Sequence, residues 1–147
     1  MNKVLVAIDG SEASDRAVDF AITLAKSADT CLLVLNVIQE TALVPVPMGV
    51  MAEVEGVYVT NREAMQSAAD ELTERAMTRA EIAGLREVER IVRFGSAAKV
   101  IVDTADEEGV DVIVMGRRGL SDLKGLILGS VTHKVGHLAE QPVVTVP

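Results

Sequence analysis

The segment from Gly116 to Ser130, GRRGLSDLKGLILGS, holds the residues whose types and spacing offer chemistry. Two residues separate Gly116 from Gly119, nine separate Gly119 from Gly129, and Ser130 follows directly. The segment leaves a strand-like apolar run and enters a helix-like one at Gly129-Ser130. Glycines at a strand exit carry no Cβ, so main-chain N–H groups can approach a ligand closely. A Gly-Ser pair opening a helix presents unpaired N–H groups and the positive end of the dipole, a setting suited to phosphate. On this reading a Cβ at Gly129 would fill the phosphate position. Arg117, Arg118 and Lys124 lie in the same loop, three of the 14 basic residues. Their side chains serve equally as phosphate contacts or as solvated charges. The segment is read as a nucleotide phosphate site.

The elements that must position this loop are aliphatic. Hydrophobic residues make up 49% of the 147 positions but aromatics only 2%, so the core falls to Val, Ile, Leu, Ala and Met, as in buried parallel strands. No apolar run is long enough for a membrane span. The opening MNKVLVAIDG is not read as a signal peptide, because Asp9 ends its apolar stretch early. The single cysteine, Cys31, has no internal disulfide partner, which fits a reducing cytoplasm. At a strand start it is expected to be a buried, inert thiol. A net charge of −8 argues against general nucleic-acid binding, which needs a basic face.

Lys3 to Ile8 and Cys31 to Ile38 read as buried strands, with a helix between them from a cap at Ser11 or Ser14 to about Ala28. Residues 39 to 60 read as a long apolar loop, because Pro45, Pro47, Gly49 and Gly56 oppose regular structure. A helix is expected from Asn61 to about Ala83, closed by Gly84. Glu87 to Phe94 alternates apolar and charged residues, as an edge strand does. Ser96 is expected to cap a helix running to about Glu108. Val110 to Met115 forms a fourth strand, Ser130 to Ala139 a short helix, and Pro142 to Val146 a last strand. This alternation predicts an α/β fold: a single domain over 1–147 with a doubly wound open sheet of five parallel strands. Its order would be 3-2-1-4-5 with helices on both faces, a Rossmann-like arrangement.

In such a sheet, ligands sit beyond the carboxyl ends of the strands where strand order reverses. Ala7, Ile8 and Asp9 on one side and Met115 to Gly119 on the other should therefore face one crevice. Strand two ends beside them at Asn36, Val37 and Ile38, where backbone groups can read an adenine edge. Asp9 is placed either as a helix cap or as a partner for a ribose hydroxyl, an adenine amine or a metal. Neither GxGxxG after the first strand nor GxxxxGK[ST] occurs. His133 and His137 lie four apart on the last helix, a spacing compatible with metal but lacking a nearby third ligand.

The pattern G-x2-G-x9-G-[ST] is met by Gly116, Gly119, Gly129 and Ser130. With the opening VLVAIDGSEAS, the middle LVLNVI and the ending GSVTHKV…QPVVTVP, the chain resembles the universal stress protein family, in its ATP-binding branch. The resemblance covers essentially the whole chain and implies five-stranded, adenine nucleotide alpha hydrolase-like domains that bind ATP and usually dimerise through the last strand. It implies that Ala7 and Asp9 line the adenosine pocket and that the Val37 backbone meets adenine. Met115, Gly116, Arg117, Arg118, Gly119, Leu120, Ser121 and Asp122 would wrap ribose and phosphates. Gly129, Ser130 and Val131 would hold the phosphate tail. The loop over 39–60 varies in such proteins.

Three roles are compatible with these residues. In the first, a homodimeric binding module takes up ATP with Mg²⁺, which orders the glycine loop and biases a surface read by a protein partner. In the second, a slow ATPase uses hydrolysis to time a switch, since phosphoryl transfer relies mainly on positioning and charge neutralisation. The third is a purely structural dimer with a vestigial pocket. With Asp9 the only evident general base, binding is favoured over turnover.

Overall fold

In the computed structural model, which describes residues 1–39, 51–120 and 128–147 and of 51–61 the backbone alone, the aliphatic runs become five parallel strands. In chain order these are β1 (Lys3–Ile8), β2 (Cys31–Ile38), β3 (Val88–Phe94), β4 (Val112–Gly116) and β5 (Val143–Val146). The helices are α1 (Glu12–Ala28), α2 (Met51–Ile82), α3 (Ala97–Glu107) and α4 (Ser130–Leu138). The sheet order is β3-β2-β1-β4-β5, as the alternation predicts.

Because side chains alternate along a strand, each central strand feeds two cores. Val4, Val6, Leu32, Val34 and Val114 pack under α1 and α2. Leu5, Leu33, Leu35, Ile113 and Met115 pack under α3 and α4. Leu33 and Leu35 are fully buried, each contributing about 1.5–3 kcal/mol by transfer from water. The β3 edge leaves Glu89 and Arg90 exposed, and Lys3 Nζ reaches Glu89 at 2.9 Å and Glu108 at 3.1 Å. Cys31 is buried, and that burial pushes its thiol pKa up. Among the described residues no helix is long and apolar enough to cross a membrane.

Several boundaries differ from the sequence reading, each for a local reason. The stretch read as loop over 39–60 is helical from Met51 onward, ten residues before the expected start at Asn61. Pro45 and Pro47 lie upstream of that start, and a single interior glycine such as Gly56 costs a helix only about 1 kcal/mol relative to Ala. Residues 40–50 lie outside the described residues. Strand β4 begins at Val112, not Val110, because the Val110 N–H closes the end of α3 on the Ala105 carbonyl at 2.9 Å. Asp111 then turns its carboxylate back to the amides of Asn2 (2.6 Å) and Lys3 (3.0 Å). Ser11 caps α1, its Oγ accepting from the Ser14 N–H at 3.2 Å. Ser96 occupies the cap position of α3 but makes no side-chain capping bond.

Candidate functional site

The crevice arises from unequal strand lengths. Pairing of β1 with β2 stops at Ile8 and Asn36, and pairing of β1 with β4 stops at Ala7 and Met115. Strand β2 continues, so Val37 and Ile38 pair with Arg93 and Phe94 of β3 but have no β1 partner. Their backbone edge on that side opens where strand order reverses, between β1 and β4.

A cavity of about 630 Å³ occupies this end of the sheet. Its apolar floor is Ala7, Leu35, Ile101 and Met115, and Val37, Ala97 and Val131 form walls. Ile8, Asp9, Gly116, Arg118, Gly119, Leu120, Gly129 and Ser130 line the remainder. Most of the predicted site residues thus converge on one space. Arg117 does not line it; its N–H donates to the Val146 carbonyl at 2.6 Å, tying the strap after β4 to β5. Ser121, Asp122 and Lys124 lie outside the described residues.

Three glycines also have packing roles that their spacing does not reveal. A Cβ on Gly116 would lie 2.9 Å from Ala13 C and Ser14 N, so this glycine also lets β4 pack on the first turn of α1. A Cβ on Gly119 would lie 2.6 Å from Asp9 Oδ2. A Cβ on Gly129 would rest 3.4 Å from Arg118 Cα, against the strap and in ordinary contact. The Gly129 amide is also engaged, donating to the Arg117 carbonyl at 2.9 Å.

The open donors belong to the next turn. Gly129 is the N-cap of α4 and has no side chain to cap it, and the first turn carries no acidic residue. Hydrogen bonding within α4 begins with His133 N–H to Gly129 O at 2.9 Å, so the amides of Ser130, Val131 and Thr132 precede the ladder. All three residues line the cavity. A positive helix end thus adjoins an apolar slot, an arrangement that accepts an anionic group attached to a flat apolar one.

Asp9 is the only carboxylate among the described lining residues, and both its oxygens are occupied. Oδ1 accepts from Ser11 N–H at 2.9 Å and Oδ2 from Leu120 N–H at 3.2 Å. Sequence reasoning placed Asn36 at the crevice for its backbone only, named Ser14 only as a cap, and did not reach Met65, Ala68 and Thr132. Ser14 Oγ accepts from Asp9 N–H at 3.2 Å. Asn36 Nδ2 donates to the Ile8 carbonyl at 2.7 Å, and Thr132 Oγ1 to the Gly116 carbonyl at 3.0 Å, so both fix strand ends. Asn36 was detectable as a polar residue inside CLLVLNVI, whereas Met65 and Ala68 reach the cavity only through the path of α2. His133 and His137 are exposed with ring centroids 4.5 Å apart, and no group of three or more metal-ligating side chains occurs among the described residues.

The family model described as universal stress protein family matches residues 1–147. The chain belongs to the universal stress protein family. The Universal stress protein YxiE of Bacillus subtilis is 38% identical over 146 residues, covering 99% of this chain and 98% of that one. The solved structure of the protein MJ0577, whose subject is structure-based assignment of biochemical function, superposes with a TM-score of 0.83 at 28% identity. It covers 99% of this chain and 94% of that one; MJ0577 is a universal stress protein of Methanocaldococcus jannaschii. A universal stress protein solved in complex with cAMP aligns at 29% identity and a TM-score of 0.65, over 99% of this chain and 96% of its own.

Proposed function

We propose that this universal stress protein domain is an ATP-binding module that works as a homodimer in the cytoplasm and regulates a protein partner. One observation carries the reading: the uncapped first turn of α4 opens into an apolar slot at the point where strand order reverses. Adenine would lie over Ala7, Leu35 and Met115, with the open backbone edge of Val37 and Ile38 beside its polar rim. The amides of Ser130, Val131 and Thr132 would take the phosphates, with Arg118 at the cavity wall. The related stress protein that binds cAMP supports an adenine nucleotide in a fold of this kind.

Mg²⁺ would enter on the phosphate oxygens, since no protein cage of three ligands exists among the described residues. Such an ion neutralises charge on the phosphates when bound. Binding is favoured over turnover because Asp9, the only carboxylate among the described lining residues, already accepts a backbone amide on each oxygen. Strand β5 supports dimerisation: it pairs with β4 on one side and ends the sheet on the other, leaving a ladder edge that a second copy can extend.

Chromatography of nucleotide released from the purified protein, followed by equilibrium binding to ATP, ADP, AMP and GTP with and without Mg²⁺, tests the reading. Saturable ATP binding well above that of GTP is expected. No binding by any of the four would refute it.

A further inference from the structure

The carboxylate of Asp9 sits against the strap that leaves β4, in space that a side chain at residue 119 would take. Asp9 Oδ2 accepts the Leu120 N–H at 3.2 Å, and the same oxygen lies 2.6 Å from the point a Cβ on residue 119 would occupy. The backbone at Gly119 is outside the left-handed region, so alanine suits its conformation and only the Asp9 oxygen excludes it. The second oxygen, Oδ1, accepts from Ser11 N–H at 2.9 Å, and the Asp9 N–H donates to Ser14 Oγ at 3.2 Å. The carboxylate is therefore fixed by the first turn of α1 before it meets the strap.

We infer that Asp9 is a positioning residue: its carboxylate latches the strap at Leu120, and Gly119 is glycine to let that latch close. The strap residues Arg118, Gly119 and Leu120 line the cavity, so the latch sets one wall in place without a ligand. A carboxylate can do this because it only accepts and has an oxygen for each amide. An asparagine of the same shape has one oxygen; if that serves Ser11, its NH₂ faces the Leu120 N–H, donor against donor. The latch is a property of the free protein and does not rest on the nucleotide reading.

Amide exchange at Leu120 in the nucleotide-free protein is the direct readout, followed by NMR in the parent, Asp9→Asn, Gly119→Ala, Asp9→Ala and the double variant Asp9→Ala/Gly119→Ala. Asp9→Asn and Gly119→Ala should each raise exchange at Leu120 about tenfold, the scale of one lost charge-assisted bond, while the amides of β1 and β2 keep their protection. In the Asp9→Ala background, which removes both the latch and the clash, Gly119→Ala should add less than about twofold. Parental exchange rates at Leu120 in Asp9→Asn would overturn the inference. An equal effect of Gly119→Ala in both backgrounds would do so as well. A residue serving only to contact a bound ligand would leave the exchange of the free protein unchanged.

Discussion

The Gly129 N–H donates to the Arg117 carbonyl at 2.9 Å, so the first residue after β4 is joined to the cap of α4 across the whole intervening loop. The first residue of the strap is anchored at both of its backbone groups: Arg117 N–H donates to Val146 O, and Arg117 O accepts from Gly129 N–H. This closure engages the N–H of the third glycine and leaves the amides of the following three cavity-lining residues ahead of the helix ladder.

Gly129 should accordingly tolerate one methyl group and no more. Gly129→Ala places its Cβ at ordinary contact distance from Arg118 Cα. The loss of glycine at an N-cap and the reduced freedom of the unfolded chain oppose each other, so denaturant unfolding should shift by less than about 1 kcal/mol. Gly129→Val drives branched carbons into the strap, and ATP affinity measured by calorimetry should fall by about 1–3 kcal/mol. Equal affinity for the Val variant and the parent would show that the strap does not shape the site.

Gly116→Ala should damage the fold rather than the site alone. Its Cβ would meet backbone atoms of Ala13 and Ser14 at 2.9 Å, and neither can swing aside. Urea unfolding should show destabilisation of about 1–3 kcal/mol, as overpacking of a close contact produces. The expectation fails if the midpoint of unfolding is unmoved.

Acid stability should depend on Asp111. Its carboxyl pKa is held below the ordinary value of 3.8, first by the Lys3 N–H and next by the Asn2 N–H. A carboxyl depressed in the folded state stabilises above its unfolded pKa, and that contribution disappears as pH falls through the folded value. Unfolding followed between pH 5 and pH 2 should therefore show a shallower acid loss in Asp111→Asn than in the parent. Lys3 is shifted upward from 10.5, by Glu89 first, so its contribution is lost only in strongly alkaline solution. Parallel acid profiles for Asp111→Asn and the parent would contradict this assignment.

ATP turnover and assembly can be measured separately. With Asp9 committed to two amides, single-turnover phosphate release should match the rate of ATP without protein. Sedimentation at micromolar concentration should give the mass of two chains if the β5 edge is shared. A monomer would remove the dimer from the proposal without touching the cavity.

Much of this architecture was legible because its signals are local. KVLVAI and CLLVLNVI announce buried parallel strands, Ser11 announces a cap, and the charged alternation of β3 announces an edge. The strand order and the crevice at Ala7, Met115 and Val37 then follow from topology. Less was legible where a residue's role depends on a neighbour distant in the chain. Gly116 and Gly119 read as ligand-facing glycines because sequence shows that a Cβ is absent, not which atom takes its place. Those atoms belong to Ala13, Ser14 and Asp9, about a hundred residues earlier. The early start of α2 was hidden by Gly56, whose local preference the surrounding helix overrides.

The most direct measurement is an NMR titration of the isotope-labelled protein with ATP and Mg²⁺, following backbone amides. Saturable shifts concentrated at Ala7, Val37, Ser130, Val131 and Thr132, with one nucleotide per chain, are expected. ATP that leaves those five amides unmoved, or that shifts only residues away from the carboxyl end of the sheet, would contradict a nucleotide site at the head of α4.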